Sequence, residues 1–390
     1  MIDQFRLLSQ TMKLLLLVFC GIAKTWAHVE LIINDAFYEA IVSTFPDQNI
    51  IFSTEMIRSS MLYIYVGVEN TGSNQIEEAL HFQGLKLSDY KPDSEKILNM
   101  LWQDNPVAKS TTRFFVEQSL KMSNEYRMFM RHTEGKAQNI AFNTEKLKKV
   151  NEFYKREMGE QMGDVINESY WKPDNMGLLV NAMYFNLSWE RTFNPGATYD
   201  REFRVSSQRT INVPMMHEDS KFAFGDLEKL QATALLLPFS KGNLSMLLVK
   251  PNQPNGLSDL EKQLSKLDIH DLTTGLSMAE VFVGIPKFHV RCDLELRPAL
   301  EKIGIKQIFV GSKSFSTLLQ RNAPFQISGV RHVVSFEFQE QGIGPPPTEV
   351  GNGSLTHTFN EVKYFLLTHP FAFYIIDKES TFFAGHVTTF

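Results

Sequence analysis

Cysteine is nearly absent: the 390 residues contain two, Cys20 and Cys292. A disulfide framework is excluded, so stability must come from burying a core, which a chain of this length can do. Signatures of catalysis are missing too. There is no Gly-x-Ser-x-Gly elbow, no His-Glu-x-x-His and no phosphate-binding loop, and the ten histidines lack metal-ligand spacing. Neither enzymatic activity, nor a cofactor, nor a metal is expected. The sequence also lacks internal repeats, low-complexity tracts and long runs of one charge. Its formal charge of −5 argues against a nucleic-acid partner.

No membrane-spanning run is present. The apolar stretch Leu14 to Ala23 has ten residues, against the roughly 20 a spanning helix needs. Basic Arg6 and Lys13 precede it, and Thr25-Trp26-Ala27 offers small residues ahead of a cut after Ala27. This is the pattern of a cleaved secretory signal, so residues 1–27 are expected to be removed and the protein secreted, with no membrane partner. Removal takes away three basic residues and one acidic one, which shifts the balance from −5 to −7. Cys20 goes with them, leaving Cys292 as a buried thiol.

What the sequence has is apolar residues, 43% of the chain, with 31 phenylalanines. Helical spacing marks Asn74 to Phe82 and the region Asn143 to Val165. The pattern then changes to strands. Leu178 to Phe185 is an apolar run of buried-strand type, and Ala232 to Leu237 and Ser245 to Val249 flank a hairpin signal at residues 239–243. Glu280 to Ile285, Val333 to Gln339, Tyr364 to Leu367, Phe371 to Ile376 and Phe382 to Val387 read as further strands. Helices early and strands later, with no strand–helix alternation, point to an α+β fold with antiparallel or mixed sheets. No composition shift divides residues 28–390, so one domain is expected.

The order of these segments carries a resemblance. Asn49-Ile50-Ile51-Phe52-Ser53, Gln75 to Leu80, Asn181 to Phe185 with Trp189-Glu190 and Phe193, Val213 to Met216, and Ile285-Pro286-Lys287-Phe288 occur in sequence. His369 to Phe373 and Phe383 to Val387 close the series. Together they resemble the serpin superfamily, the serine protease inhibitor fold, over nearly all of the chain after the signal. The resemblance implies three β-sheets with about eight or nine helices. It also implies an exposed reactive-centre loop, here at about residues 342–362. In inhibitory members a protease cleaves this loop, the loop inserts as a new central strand of the largest sheet, and the acyl-bound protease is dragged along and deformed. A monomer and an extracellular serine protease partner are implied with it.

This chain departs from that pattern at the hinge, Glu340, Gln341, Gly342, Ile343, Gly344, Pro345, Pro346 and Pro347. Inhibitory relatives carry a small hydroxyl residue and then mostly alanines after the hinge glycine. Proline has no N–H to give a ladder, and in sheets it is confined to edges and bulges. The segment after Gly342 is therefore expected to leave the sheet and to resist re-entering it. A polar cluster under the sheet opening is matched at Ser53, Asn181 and His332, but Met56 replaces its second serine. Lys287 and Glu340 match a charged pair at the top of the sheet, read here as a surface ion pair.

The rest of the loop limits the target. No Lys or Arg occurs from Ile343 to Val362, which disfavours a trypsin-like protease. The scissile region is expected near Leu355, Thr356, His357, Thr358 and Phe359. Lys146, Lys148, Lys149, Lys155 and Arg156 raise a heparin-like site, but Glu145, Glu152 and Glu157 interleave with them and favour a solvated mixed-charge face. Asn167, Asn186, Asn243 and Asn352 each open an N-glycosylation sequon. Three readings follow: a secreted inhibitor-family protein with weak or lost trapping activity, a working inhibitor of a chymotrypsin-like or elastase-like protease, and a non-inhibitory carrier. The degenerate loop is similar in kind to those of insect seminal-fluid serpins.

Overall fold

A computed structural model describes residues 36–46, 48–80, 108–132, 136–185, 187–241, 243–344, 362–378 and 380–390. The expected signal, the scissile region, Asn186, Asn352 and the three hinge prolines lie outside them.

The strands run β1 (Ile50–Phe52), β2 (Ala108–Glu117), β3 (Lys136–Ile140), β4 (Gly177–Phe185), β5 (Leu187–Ser188), β6 (Thr198–Arg204), β7 (Thr210–Leu227) and β8 (Ala232–Pro238). They continue with β9 (Ser245–Pro251), β10 (Ser277–Pro286), β11 (Phe288–Glu295), β12 (Ile327–Gln339), β13 (Gly342–Ile343), β14 (Lys363–Leu366), β15 (Phe371–Ile376) and β16 (Thr381–Val387). The nine-stranded sheet runs β1-β16-β15-β9-β8-β7-β10-β14, with β6 also on β7. Its two halves are joined by the 18-residue β7, whose first part pairs β6 and β10 and whose last part pairs β8. The other sheet runs β3-β2-β4-β12-β13-β5, with β11 on the far side of β12. The α+β architecture thus holds, with two of the three implied sheets continuous through one long strand.

The central strand β4 reads Gly-Leu-Leu-Val-Asn-Ala-Met-Tyr-Phe and is buried throughout, because both of its faces are covered. Leu179, Met183 and Phe185 point into the main core, while Leu178, Val180, Ala182 and Tyr184 pack with Leu147, Val150, Tyr154 and Met158. The latter four belong to the helix Thr144–Met158. Asn143 caps its N-terminus by accepting from the Lys146 amide, Glu145 lies in its first turn, and Lys155 and Arg156 lie in its last, each favourable to the helix dipole. The helical region expected to reach Val165 stops at Gly159, where φ is 104°, a conformation that other residues rarely adopt. Buried Asn151 then ties the following segment back, exchanging side-chain hydrogen bonds of 2.9 Å with both backbone groups of Ile166.

Sequence reading missed β2, most of β7 and the first half of β12. Ile327 to Arg331 carries Ser328, Gly329 and Arg331, which break the apolar pattern. Arg331 is nevertheless buried, ion-paired to Asp293 and stacked on Tyr170.

Candidate functional site

β4 and β12 lie side by side and parallel, in unbroken register from Gly329 opposite Leu178 to Ser335 opposite Tyr184, after a bulge that separates this run from Ile327 opposite Gly177. Any further central strand must part this pair. Beneath the seam, Asn181 stands beside His332, and both are fully buried. Ser53 caps the helix Thr54–Tyr65 with its side chain, and its own amide donates to His332 Nε2 at 3.1 Å. Asn181 donates to Ser60 Oγ at 2.8 Å and accepts from Thr112 Oγ1 at 3.0 Å. The structure thus brings the matched trio together and adds Ser60 and Thr112, which sequence reading missed. Ser60 sits one helical turn from Met56 on the same face, the signal that would have found it.

Because Nε2 of His332 accepts a hydrogen bond, the proton of the neutral ring is on Nδ1. Burial drives the imidazole pKa down to about 3. The ring is neutral in the fold, whereas in the unfolded chain it titrates near 6.5. The stability gained by keeping it neutral is therefore complete above about pH 6.5 and is lost as pH falls toward about 3, at up to about 1.4 kcal/mol per pH unit. Between about pH 7.5 and about pH 5 this one group is expected to cost about 2 kcal/mol. Chemical unfolding of the wild type and His332→Gln at both pH values checks it: the variant should lose the excess pH dependence, and equal slopes would contradict the assignment.

Above Ser335 and Tyr184 the seam is already occupied. β12 turns at Glu340 and Gln341 and returns as β13, with Gly342 opposite Gln339 and Ile343 opposite Phe338. On its other edge β13 pairs β5, Gly342 with Ser188 and Ile343 with Leu187. This corrects the expectation that the chain leaves the sheet after Gly342: Ile343 is paired in it as well. Gly342 has φ 146°, and a Cβ there would stand 1.8 Å from the Leu187 carbonyl oxygen, so only glycine fits. Ile343 is buried, and Gly344 donates to the Glu337 carbonyl at 2.8 Å while the Gln339 carboxamide donates to the Gly344 carbonyl.

Trp189 braces this hinge. Its indole donates to the Gln339 carbonyl at 2.9 Å and its amide to the Gln341 carbonyl at 2.9 Å. Its ring stacks on Phe239 at 4.7 Å and meets Phe338 edge-on at 5.0 Å. Glu340 is held by Lys287 Nζ at 2.8 Å and Thr198 Oγ1 at 2.9 Å. The pair is not the surface contact expected from sequence, since the Glu340 side chain is 6% exposed and that of Lys287 40%. Burial works to raise the Glu340 pKa, but the Lys287 ammonium, its own backbone amide and the Thr198 hydroxyl outweigh it and hold the carboxyl below its usual range. A double-mutant cycle over Lys287→Met and Glu340→Gln is expected to give a coupling of about 1–2 kcal/mol, between exposed and fully buried pairs. A coupling near zero would return the pair to the surface class.

The remaining residues fall where they carry no chemistry of this kind. Cys292 is buried, accepting from the Ile51 amide and donating to the Asn49 carbonyl, and burial pushes its pKa up to about 12. Lys149, Lys155 and Arg156 are paired with Glu145, Asp164 and Glu157, as a mixed-charge face requires. Among the described residues no cluster of His, Cys, Asp or Glu is placed to hold a metal, and no helix is long and apolar enough to cross a membrane.

A family model described as Serpin (serine protease inhibitor) matches residues 35–390. Serine protease inhibitor 42Dd of Drosophila melanogaster is 26% identical over 363 residues, covering 90% of this chain and 94% of its own. Leukocyte elastase inhibitor of Sus scrofa is 26% identical over 354 residues, covering 88% and 93%. Among solved structures, Serpin48 of the insect Tenebrio molitor superposes with a TM-score of 0.79 at 22% identity, covering 94% of this chain and 98% of that one. Uncleaved ovalbumin superposes with a TM-score of 0.78 at 22% identity, covering 93% and 99%.

Proposed function

Because the chain belongs to the serpin family, we propose that it is a secreted member that offers its loop to serine proteases outside the trypsin class without trapping them. The observation that carries this reading is the register of β13. An inserted strand continuing it would set Pro345 opposite Phe336 and Phe185, Pro346 opposite Ser335 and Tyr184, and Pro347 opposite Val334 and Met183. Gly344 turns its N–H toward β12, so alternate residues face alternate neighbours. Pro346 would withhold a donor from the Ser335 carbonyl. Pro345 and Pro347 would withhold donors from the Phe185 and Met183 carbonyls. Each unmade buried bond costs about 1–3 kcal/mol. Insertion is a race against deacylation, and a barrier raised by several such terms lets the protease hydrolyse its acyl bond and leave.

Two observations favour a second reading, a functional inhibitor of a chymotrypsin-like or elastase-like protease. The hinge already lies two residues into the sheet, and the relative from Sus scrofa is named as an elastase inhibitor. Incubation with chymotrypsin and with elastase, followed by a denaturing gel, separates the two. The expected result is loop-cleaved chain and free protease. A band at the summed mass would establish the second reading.

A further inference from the structure

We propose that Asn243 is an N-glycan attachment site and that its glycan screens the hinge end of the loop from proteases. The proposal rests on the secretory routing proposed above. Asn243-Leu244-Ser245 is a sequon at the tip of the β8–β9 hairpin, and Asn243 is exposed with φ 51°, a left-handed turn position that projects from the hairpin. This tip lies against the segment that holds the hinge. Phe239 donates to the Leu244 carbonyl at 2.9 Å and stacks on Trp189. Ser240 donates to the Ser188 carbonyl at 2.9 Å, and Glu190 donates to the Pro238 carbonyl at 2.9 Å. Ser188 in turn pairs with Gly342, and the Trp189 amide holds Gln341. Residues 188–190 thus touch both the base of the hairpin turn and the hinge, which puts a branched sugar rooted at Asn243 within reach of the mouth of the sheet. The sequon at Asn167 serves as an internal comparison. It is exposed too, but it adjoins Ile166, which is tied to the helix Thr144–Met158 rather than to the hinge.

The attachment is a group transfer. The Asn243 carboxamide nitrogen displaces the lipid pyrophosphate of an activated oligosaccharide donor. An N–C1 bond forms as the C1–O bond to phosphate breaks; the amide gives up one proton and the lipid pyrophosphate leaves. The experiment expresses the full chain behind a heterologous secretion signal in a eukaryotic cell, so that failure of its own N-terminus to route is separated from failure at Asn243. Enzymatic deglycosylation in heavy-oxygen water followed by peptide mass spectrometry should tag Asn243. The variants Asn243→Gln and Ser245→Ala, either of which removes the sequon, should be cut in the loop by chymotrypsin several-fold faster than the glycosylated protein, and Asn167→Gln at its rate. An untagged Asn243 overturns the attachment, and equal cleavage rates with and without the sugar overturn the screening.

Discussion

Replacing Pro345, Pro346 and Pro347 together by alanine is expected to turn loop cleavage into a stabilising event. In the wild type, cleavage is expected to leave the thermal midpoint nearly where it was, because the freed strand stops at Gly344. Alanines restore one donor toward β12 and two toward β4, which recovers about 3–9 kcal/mol of otherwise unmade bonds. With an unfolding entropy of about 2.1 cal/mol/K per residue, that corresponds to roughly 4–12 °C for a domain of about 350 residues. The gain should be larger once full insertion adds the remaining ladder. The same variant should form some covalent complex with chymotrypsin where the wild type forms none. Calorimetry of intact and cleaved forms of both proteins checks this. A large midpoint gain on cleaving the wild type itself would show that the prolines are accommodated.

Truncating Ile343 to alanine should destabilise the intact protein by about 2–5 kcal/mol, the usual range for emptying a fully buried isoleucine site. Ile343 is 1% exposed and lies between Phe338 of β12 and Leu187 of β5, both also buried. Its removal should also loosen β13, so limited proteolysis should gain a cut near Gly342 to Gly344 that the wild type lacks. Urea unfolding and peptide mapping measure the two effects. A change below about 0.5 kcal/mol, the scale of ordinary surface substitutions, would mean that backbone pairing alone keeps the hinge in the sheet.

Much of this was legible in the sequence, for physical reasons. β4 declared itself because a strand covered on both faces must be largely apolar, Asn181 being its one polar exception, hydrogen-bonded to Ser60 and Thr112, and the β8–β9 hairpin because its ends are apolar and its turn is not. The early part of β12 was hidden by Arg331, whose burial depends on Asp293 and Tyr170 far away in sequence. β2 was hidden because Lys109, Ser110, Thr111 and Thr112 look solvated, although Thr112 reaches Asn181. At the site, Ser53, Asn181 and His332 were legible from family motifs. The burial of Glu340 was not, because it is set by Trp189, Phe193 and Thr198 closing over the turn. Nor was β13: the prolines mark where a strand must end, but only the β5 edge shows that it first runs through Gly342 and Ile343.

A crystal structure of the loop-cleaved protein shows where the freed strand stops. β4 and β12 are expected to remain paired, with His332 still beside Asn181 and Ser335 beside Tyr184, and the chain beyond Gly344 outside the sheet. Strands β4 and β12 parted, with Pro345 to Pro347 laddered between Phe336 and Phe185, Ser335 and Tyr184, and Val334 and Met183, would contradict an arrest at Gly344.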